Sequence, residues 1–272
     1  MTLLYKTNID KLVGTYINGR VARIGGGVDQ LLIQKNASVQ DFNILDGGFG
    51  STKSISQGVG FSDYLNIIKR KFKQEIKHLY YGNRVPLDRT TIQLDMHFAQ
   101  QSNKFLCKFD SVISSNVLEH SPNLIFFLLN FHFVGKEDGY QFHALPNYRY
   151  TYDRFRNPTQ LEHFIHDFEC HQSFDDKQHN EDYIQSAIDK DGWQKDFHRR
   201  YPVAYPYMHF HVFDEFNTLE LFEFMFEEVT VDVIRDGKFS DNLVFFRNKL
   251  NKSFSDKYFN LIEEVKNGKY LP

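Results

Sequence analysis

The chain has 272 residues, 41% of them hydrophobic, which suffices for one large domain with a full core and no covalent staples. Two cysteines exclude a disulfide framework, and 32 Lys+Arg against 35 Asp+Glu exclude a broad nucleic-acid footprint. A mean hydropathy of −0.49 and apolar runs as short as residues 124–129 exclude a membrane-inserted bundle.

Residues 1–11 carry no apolar leader, so a cytoplasmic location is expected. Gly25-Gly26-Gly27 lacks a Walker lysine and a clear preceding strand, and reads as a plain turn. Residues 1–40 are expected to pack on the core as an extension. The pattern sharpens at residue 41. Residues 42–45 read as a first strand, followed by the turn Asp46-Gly47-Gly48-Phe49-Gly50. Residues 59–63 read as a second strand. Leu65, Ile68, Phe72 and Ile76 then share one helical face.

Residues 91–95 are a third strand and 109–114 a fourth. Ser121-Pro122 suits the start of a helix, as N-cap and first helical residue. Residues 140–145 form a fifth strand, stopped by Pro146. Strand alternating with helix implies a mostly parallel sheet covered on both faces. Residues 147–208 are polar, aromatic and rich in His and Asp, too long for a simple connection. They read as an insertion over the strand ends. Leu219, Phe222 and Phe226 mark a further helix. Residues 229–234 and 242–246 read as strands joined at Asp236-Gly237, a hairpin signal. Residues 256–269 read as helix.

Glycines after a strand let the backbone turn sharply and approach a ligand. An acidic residue ending the next strand can accept bonds from both ribose hydroxyls, and Asp63 holds that place in this reading. Nicotinamide-dependent oxidoreductases use the same device, and a tight structural turn would look alike. His209 and His211 alternate as they would on a strand, with their side chains on one face. Arg149, Arg154 and Arg156 follow the fifth strand, as an anion clamp or a solvated face. His163, His166, Asp167, His171 and Asp175 crowd the insertion without a firm ligand spacing, and no metal is expected.

The block Phe109-Asp110-Ser111-Val112-Ile113-Ser114-Ser115-Asn116-Val117-Leu118-Glu119-His120 resembles the F-D-x-V-x-x-x-x-V-L-E-H segment of class I S-adenosylmethionine-dependent methyltransferases. Pro146-Asn147-Tyr148-Arg149-Tyr150-Thr151-Tyr152-Asp153-Arg154-Phe155-Arg156 is similar to the P-D-K-R-x-T-F-D-x-x-R stretch of a branch found in bacterial surface-glycan biosynthesis. His209-Phe210-His211-Val212-Phe213 resembles that branch's H-x-H-V-F block. The loop Gly135-Lys136-Glu137-Asp138-Gly139 departs from the usual K-P-G-G turn.

The resemblance implies an α/β, Rossmann-like class I methyltransferase fold. Its sheet would be mostly parallel and seven-stranded, with an antiparallel last strand. The methyltransferase domain would span 41–255 with the insertion at 147–208, and 256–272 would be a C-terminal helix and tail. S-adenosylmethionine would be the cofactor and S-adenosylhomocysteine the product. Asp46, Gly48 and Gly50 would approach the methionine part, Asp63 the ribose and Asp95 the adenine. Asn116 and His120 would edge the pocket. His209, His211 and His143 are the candidate bases, in that order. Tyr148, Arg149, Asp153, Arg154 and Arg156 would meet the acceptor. The acceptor implied is a sugar, nucleotide-linked or phosphorylated (phosphoramidate included) precursor of capsule or another surface polysaccharide. A non-catalytic methyltransferase-like partner subunit and a nicotinamide-dependent oxidoreductase stay open as alternatives.

Overall fold

The computed structural model describes residues 8–24, 38–44, 87–94, 105–173, 177–186, 208–236 and 239–270. Seven strands form one sheet: β1 Arg20–Ile24, β2 Ser38–Ile44, β3 Leu87–Leu94, β4 Phe109–Ser115, β5 Gly135–Pro146, β6 Thr230–Asp236 and β7 Phe239–Arg247. Their order is β3-β2-β1-β4-β5-β7-β6. The pairs from β3 to β5 are all parallel, and β7 runs antiparallel to both β5 and β6.

Side chains alternate between two faces, as the pleat requires. On β4, Val112 packs on one side and Ile113 on the other; on β7, Val244 and Phe246 oppose Leu243 and Phe245. The helix α1, Asn8–Tyr16, covers the Ile113 side through Val13. The Val112 side is covered by α2, Leu124–Val134, then by α3, Leu161–Glu169, α5, Glu215–Met225, and the C-terminal helices α6, Lys252–Lys257, and α7, Phe259–Lys266. A short helix α4, Lys177–Tyr183, belongs to the insertion. No helix among the described residues is long and apolar enough to cross a membrane.

The helix α2, LIFFLLNFHFV, is apolar on nearly every side because it is enclosed on nearly every side. The sheet lies beneath it, and α3 and α7 pack over it. Asn130 survives inside it by donating to the Phe126 carbonyl at 2.9 Å. The helix starts later than Ser121-Pro122 suggests. Asn123 is its N-cap, accepting from the Phe126 amide, while Ser121 Oγ accepts from the Asn123 amide.

The largest correction concerns the first strands. Residues 42–44 belong to the second strand, and the first is β1, inside the segment expected to be an extension. Residues 1–40 therefore supply a central strand, with Val21, Ala22 and Ile24 all buried. Its entry is fixed by Gly19 at φ +66, where a Cβ would lie 2.5 Å from Asp110 Oδ2. The same oxygen accepts from the Arg20 amide at 2.8 Å. The place beside β1 expected for residues 59–63 is taken by β2. The expected helix at 65–76 lies outside the described residues. The third to seventh strands overlap the stretches expected, but β3 starts at Leu87 and β5 at Gly135, so residues 135–139 are strand and not a loop; β6 and β7 pair as a hairpin.

Candidate active site

In a parallel sheet whose strand order reverses, ligands bind at the carboxyl ends of the two strands flanking the reversal. Here those are β1 and β4, with Ile24 paired to Ser114. Asn116 leaves β4 exposed and in the left-handed region, at φ +51, its amide bonded to the Ala144 carbonyl. That turn sends the chain across the mouth of the crevice. It is followed by the short 3-10 turn Leu118–His120.

Glu119 lies in this turn and is buried, 1% exposed. Burial pushes its carboxyl up to about 7, with His209 pulling it down and Asp241 and Asp153 adding to the rise. Its Oε2 is buried without a hydrogen-bond partner among the described residues, and Oε1 lies 4.0 Å from His209 Nε2. Asp241, on β7, is itself raised by burial to about 6.

His209 is the centre of the cluster. Its Nδ1 bonds Asp153 Oδ2 at 2.5 Å. Tyr152 packs on its ring at 4.5 Å and His120 meets it edge-on at 4.9 Å. Asp153 is held in turn by Thr151 Oγ1 and by Arg156 Nη1 at 2.9 Å. Burial opposes its ionisation, but the His209 and Arg156 contacts outweigh it and hold its carboxyl below the usual value. His120 accepts no easy charge: burial, with His209 beside it, lowers it to about 3, and its Nδ1 bonds the Met208 carbonyl.

Arg156 is buried and fully engaged. Besides Asp153 it donates to Asp182 at 2.6 Å and to the carbonyls of His209 and Phe210 at 2.7 and 3.0 Å. It fixes the backbone that carries His209 and is not an anion clamp. Arg149 donates to Glu215 at 2.8 Å, lies 3.6 Å from Asp214, and stacks on the half-buried Tyr148 ring. Arg154 lies exposed over Phe155. The three guanidiniums thus do not converge, a correction to the clamp expected from their spacing.

His143 and His211 are corrected as well. His143 lies on the α2 side of the sheet, fully buried, bonded to Ser114 Oγ at 2.8 Å and Gln141 Oε1 at 3.0 Å. Burial lowers it to about 3. It serves a polar network that runs on through Gln141 to Asn248 and His132. His211 does not share a face with His209, because residues 208–212 are not a strand. It turns instead toward Asp167, at 2.8 Å. The sequence reading missed Glu119 as a buried acid and Tyr152 as the ring against His209. The signal for Glu119 was its place in the V-L-E-H block directly after a strand.

Asp46, Gly48, Gly50, Asp63 and Asp95 lie outside the described residues. Asp46 comes two residues after the end of β2, and Asp95 directly follows β3. Gly25-Gly26-Gly27 directly follows β1, the strand at the reversal.

No family model and no curated protein matches the sequence. Among solved structures the chain is similar to the CurJ carbon methyltransferase, at 12% identity and TM-score 0.40, over 86% of this chain and 49% of that one. It is similar to the trans-methyltransferase CalH in complex with SAH, at 14% and 0.41, over 88% and 54%. It is also similar to an S-adenosylmethionine-dependent methyltransferase of Methanosarcina mazei, at 11% and 0.40, over 88% and 98%. The chain spans about half the length of the first two. Likeness at this level says nothing about what this chain binds.

Proposed function

We propose that the chain is an S-adenosylmethionine-dependent methyltransferase acting on a hydroxyl acceptor, with His209 as general base. The observation that supports it most is the Asp153–His209–Glu119 array at the carboxyl edge of a sheet whose order reverses beside it.

The residues suit such a cofactor. In sequence, three glycines follow β1 and an aspartate follows each of β2 and β3, the residue types that close backbone approach and ribose hydroxyls call for. In this reading the glycine turn is Gly25-Gly26-Gly27 and the ribose carboxylate is Asp46, two residues past the end of the strand next to β1. Asp63 gives up that role because it does not end that strand. Asp95 keeps its place near the adenine, and Asn116 and His120 edge the pocket. When bound, the cofactor supplies a methyl group on a cationic sulfur, a centre that already carries a good leaving group.

The protein's work is alignment and proton transfer. Asp153 accepts the Nδ1 proton of His209, which leaves the lone pair on Nε2. The 4.0 Å between Nε2 and Glu119 Oε1 exceeds a direct bond and matches the span of one oxygen that would bond to both. An acceptor hydroxyl in that place would give its proton to Nε2, which makes the oxygen a better nucleophile. Glu119, its carboxyl raised by burial, spares the developing alkoxide a full second negative charge. Tyr152 and His120 wall the imidazole and keep bulk water from it. For the acceptor, the P-N-Y-R-Y-T-Y-D-R-F-R resemblance supports a sugar, nucleotide-linked or phosphorylated surface-polysaccharide precursor.

Isothermal titration tests this. S-adenosylhomocysteine should bind and NAD should not. Asp46→Ala should weaken S-adenosylhomocysteine by at least about tenfold, the loss expected when charge-assisted bonds to two hydroxyls go, while Asp63→Ala leaves it unchanged. Tight NAD binding with no response to S-adenosylhomocysteine would sink the reading.

A further inference from the structure

The insertion holds a second cluster, separate from His209. His163 and Asp167 stand one turn apart on α3, His179 comes from α4, and His211 from the segment that follows the insertion. Three imidazole nitrogens, all Nε2, converge on Asp167 Oδ2 at 3.4, 3.9 and 2.8 Å, from His163, His179 and His211 respectively. The Nε2 atoms of His163 and His179 are 2.7 Å apart. Two imidazole lone pairs cannot face each other at that distance. Either a proton or a cation must lie between them.

We propose that His163, Asp167, His179 and His211 form a closed, four-ligand site for a divalent transition metal of the zinc type. A tetrahedral ion with bonds of about 2.0–2.2 Å sets its ligand atoms roughly 3.3 Å apart. The distances from Asp167 to the three imidazoles and between His163 and His179, 2.7 to 3.9 Å, scatter about that value, and every pair among the four residues falls within 4.8 Å. Three neutral imidazoles and one carboxylate are the donors that favour zinc, cobalt or nickel over calcium or magnesium. The single carboxylate leaves the bound site at a net charge of +1.

The surroundings match a structural site. Asp167, His179 and His211 are buried, and the Phe164 ring lies 4.8 Å from that of His211. The His163 side chain is 36% exposed, which gives an ion its way in. Four protein ligands fill the coordination shell and leave no open position for chemistry. The ion would tie α3 and α4 to residues 208–213, and so to the backbone of His209. Nothing in this inference depends on methyl transfer.

The test uses the full chain, free of any histidine tag, stripped with chelator and titrated with Co²⁺. One equivalent should bind with the intense visible bands of a tetrahedral ion, and Zn²⁺ should displace it and raise Tm. His163→Gln, at the exposed edge, should fold normally and lower Co²⁺ affinity by at least roughly tenfold. Asp167→Asn should do the same if it folds. A folded wild-type chain with no visible bands and a Tm unmoved by Zn²⁺ would overturn the site, leaving a shared proton between the imidazoles. Metal retained undiminished by His163→Gln, or lost only in His120→Gln, would also overturn it by placing the ion elsewhere.

Discussion

His209 and His211 are separated by one residue, yet they sit in opposite kinds of surroundings. His209 has one carboxylate on Nδ1 and, on its Nε2 side, a gap of 4.0 Å to a carboxyl that lacks a partner for its second oxygen. The polarity there is incomplete, and an incoming hydroxyl would complete it. Around His211 it is Nε2 that is closed, by Asp167 at 2.8 Å, and His163 and His179 meet each other beside the same carboxylate. The difference teaches that proximity in sequence and chemical type do not assign a histidine its work. The count of groups facing its free nitrogen does.

The sharpest break of this contrast is a pair of substitutions. His209→Gln should lower kcat by roughly 10²–10⁴, the scale of general-base assistance, and leave S-adenosylhomocysteine affinity intact by titration. His211→Gln should lower Tm instead. Equal kcat losses with unchanged Tm in both would erase the distinction.

Arg156→Met comes next. It leaves Asp153 buried without its cation and two carbonyls without a donor, so unfolding in urea should show a loss of about 3–5 kcal/mol. A loss below 1 kcal/mol, on the order of an exposed pair, would mean that the His209 side is not held as described.

Glu119 supplies the pH dependence. The folded carboxyl keeps its proton up to about pH 7, whereas its ordinary value is 4.5. The native state therefore binds more protons between those values, and this group's contribution to stability falls as pH rises through that window. Glu119→Gln should flatten the fall and gain up to about 3 kcal/mol near pH 8. Urea midpoints across pH check it, and an unchanged slope would place the titration elsewhere.

The smallest effect is expected at Arg149. Its exposed pairing with Glu215 contributes about 0.2–1 kcal/mol. Arg149→Ala should change Tm slightly and leave the acceptor KM unmoved. A large rise in KM would restore this guanidinium to the acceptor site.

Much of the sheet was legible. β4 has Val112 and Ile113 at its middle, β5 has Phe142, Ala144 and Leu145 ahead of Pro146, and the Asp236-Gly237 turn announces the β6–β7 hairpin. β1 was not, because RVARI is short and carries two arginines, and its buried Val21, Ala22 and Ile24 make no run. Missing it shifted the next strand by one place, and the expected glycine turn and second strand with it. His143 misled because a polar residue on a central strand reads as pocket-facing until its partners Ser114 and Gln141 are seen. Asp153 and His209 lie 56 positions apart, and no local pattern announces such a pair. His163 and Asp167 share a helical spacing, but His179 and His211 reach them only through the fold of the insertion.

The enclosed helix α2 has a consequence for synthesis. Its cover comes from later in the chain: α3, then α7, and last Tyr270, whose ring stacks on Phe126 and Phe168 and whose hydroxyl joins Asn123 to the Phe168 carbonyl. Until residue 270 leaves the ribosome, LIFFLLNFHFV has no complete shelter. At common elongation rates that interval lasts on the order of ten seconds. An apolar segment bare for so long is exposed to aggregation until residues 259–270 arrive to cover it.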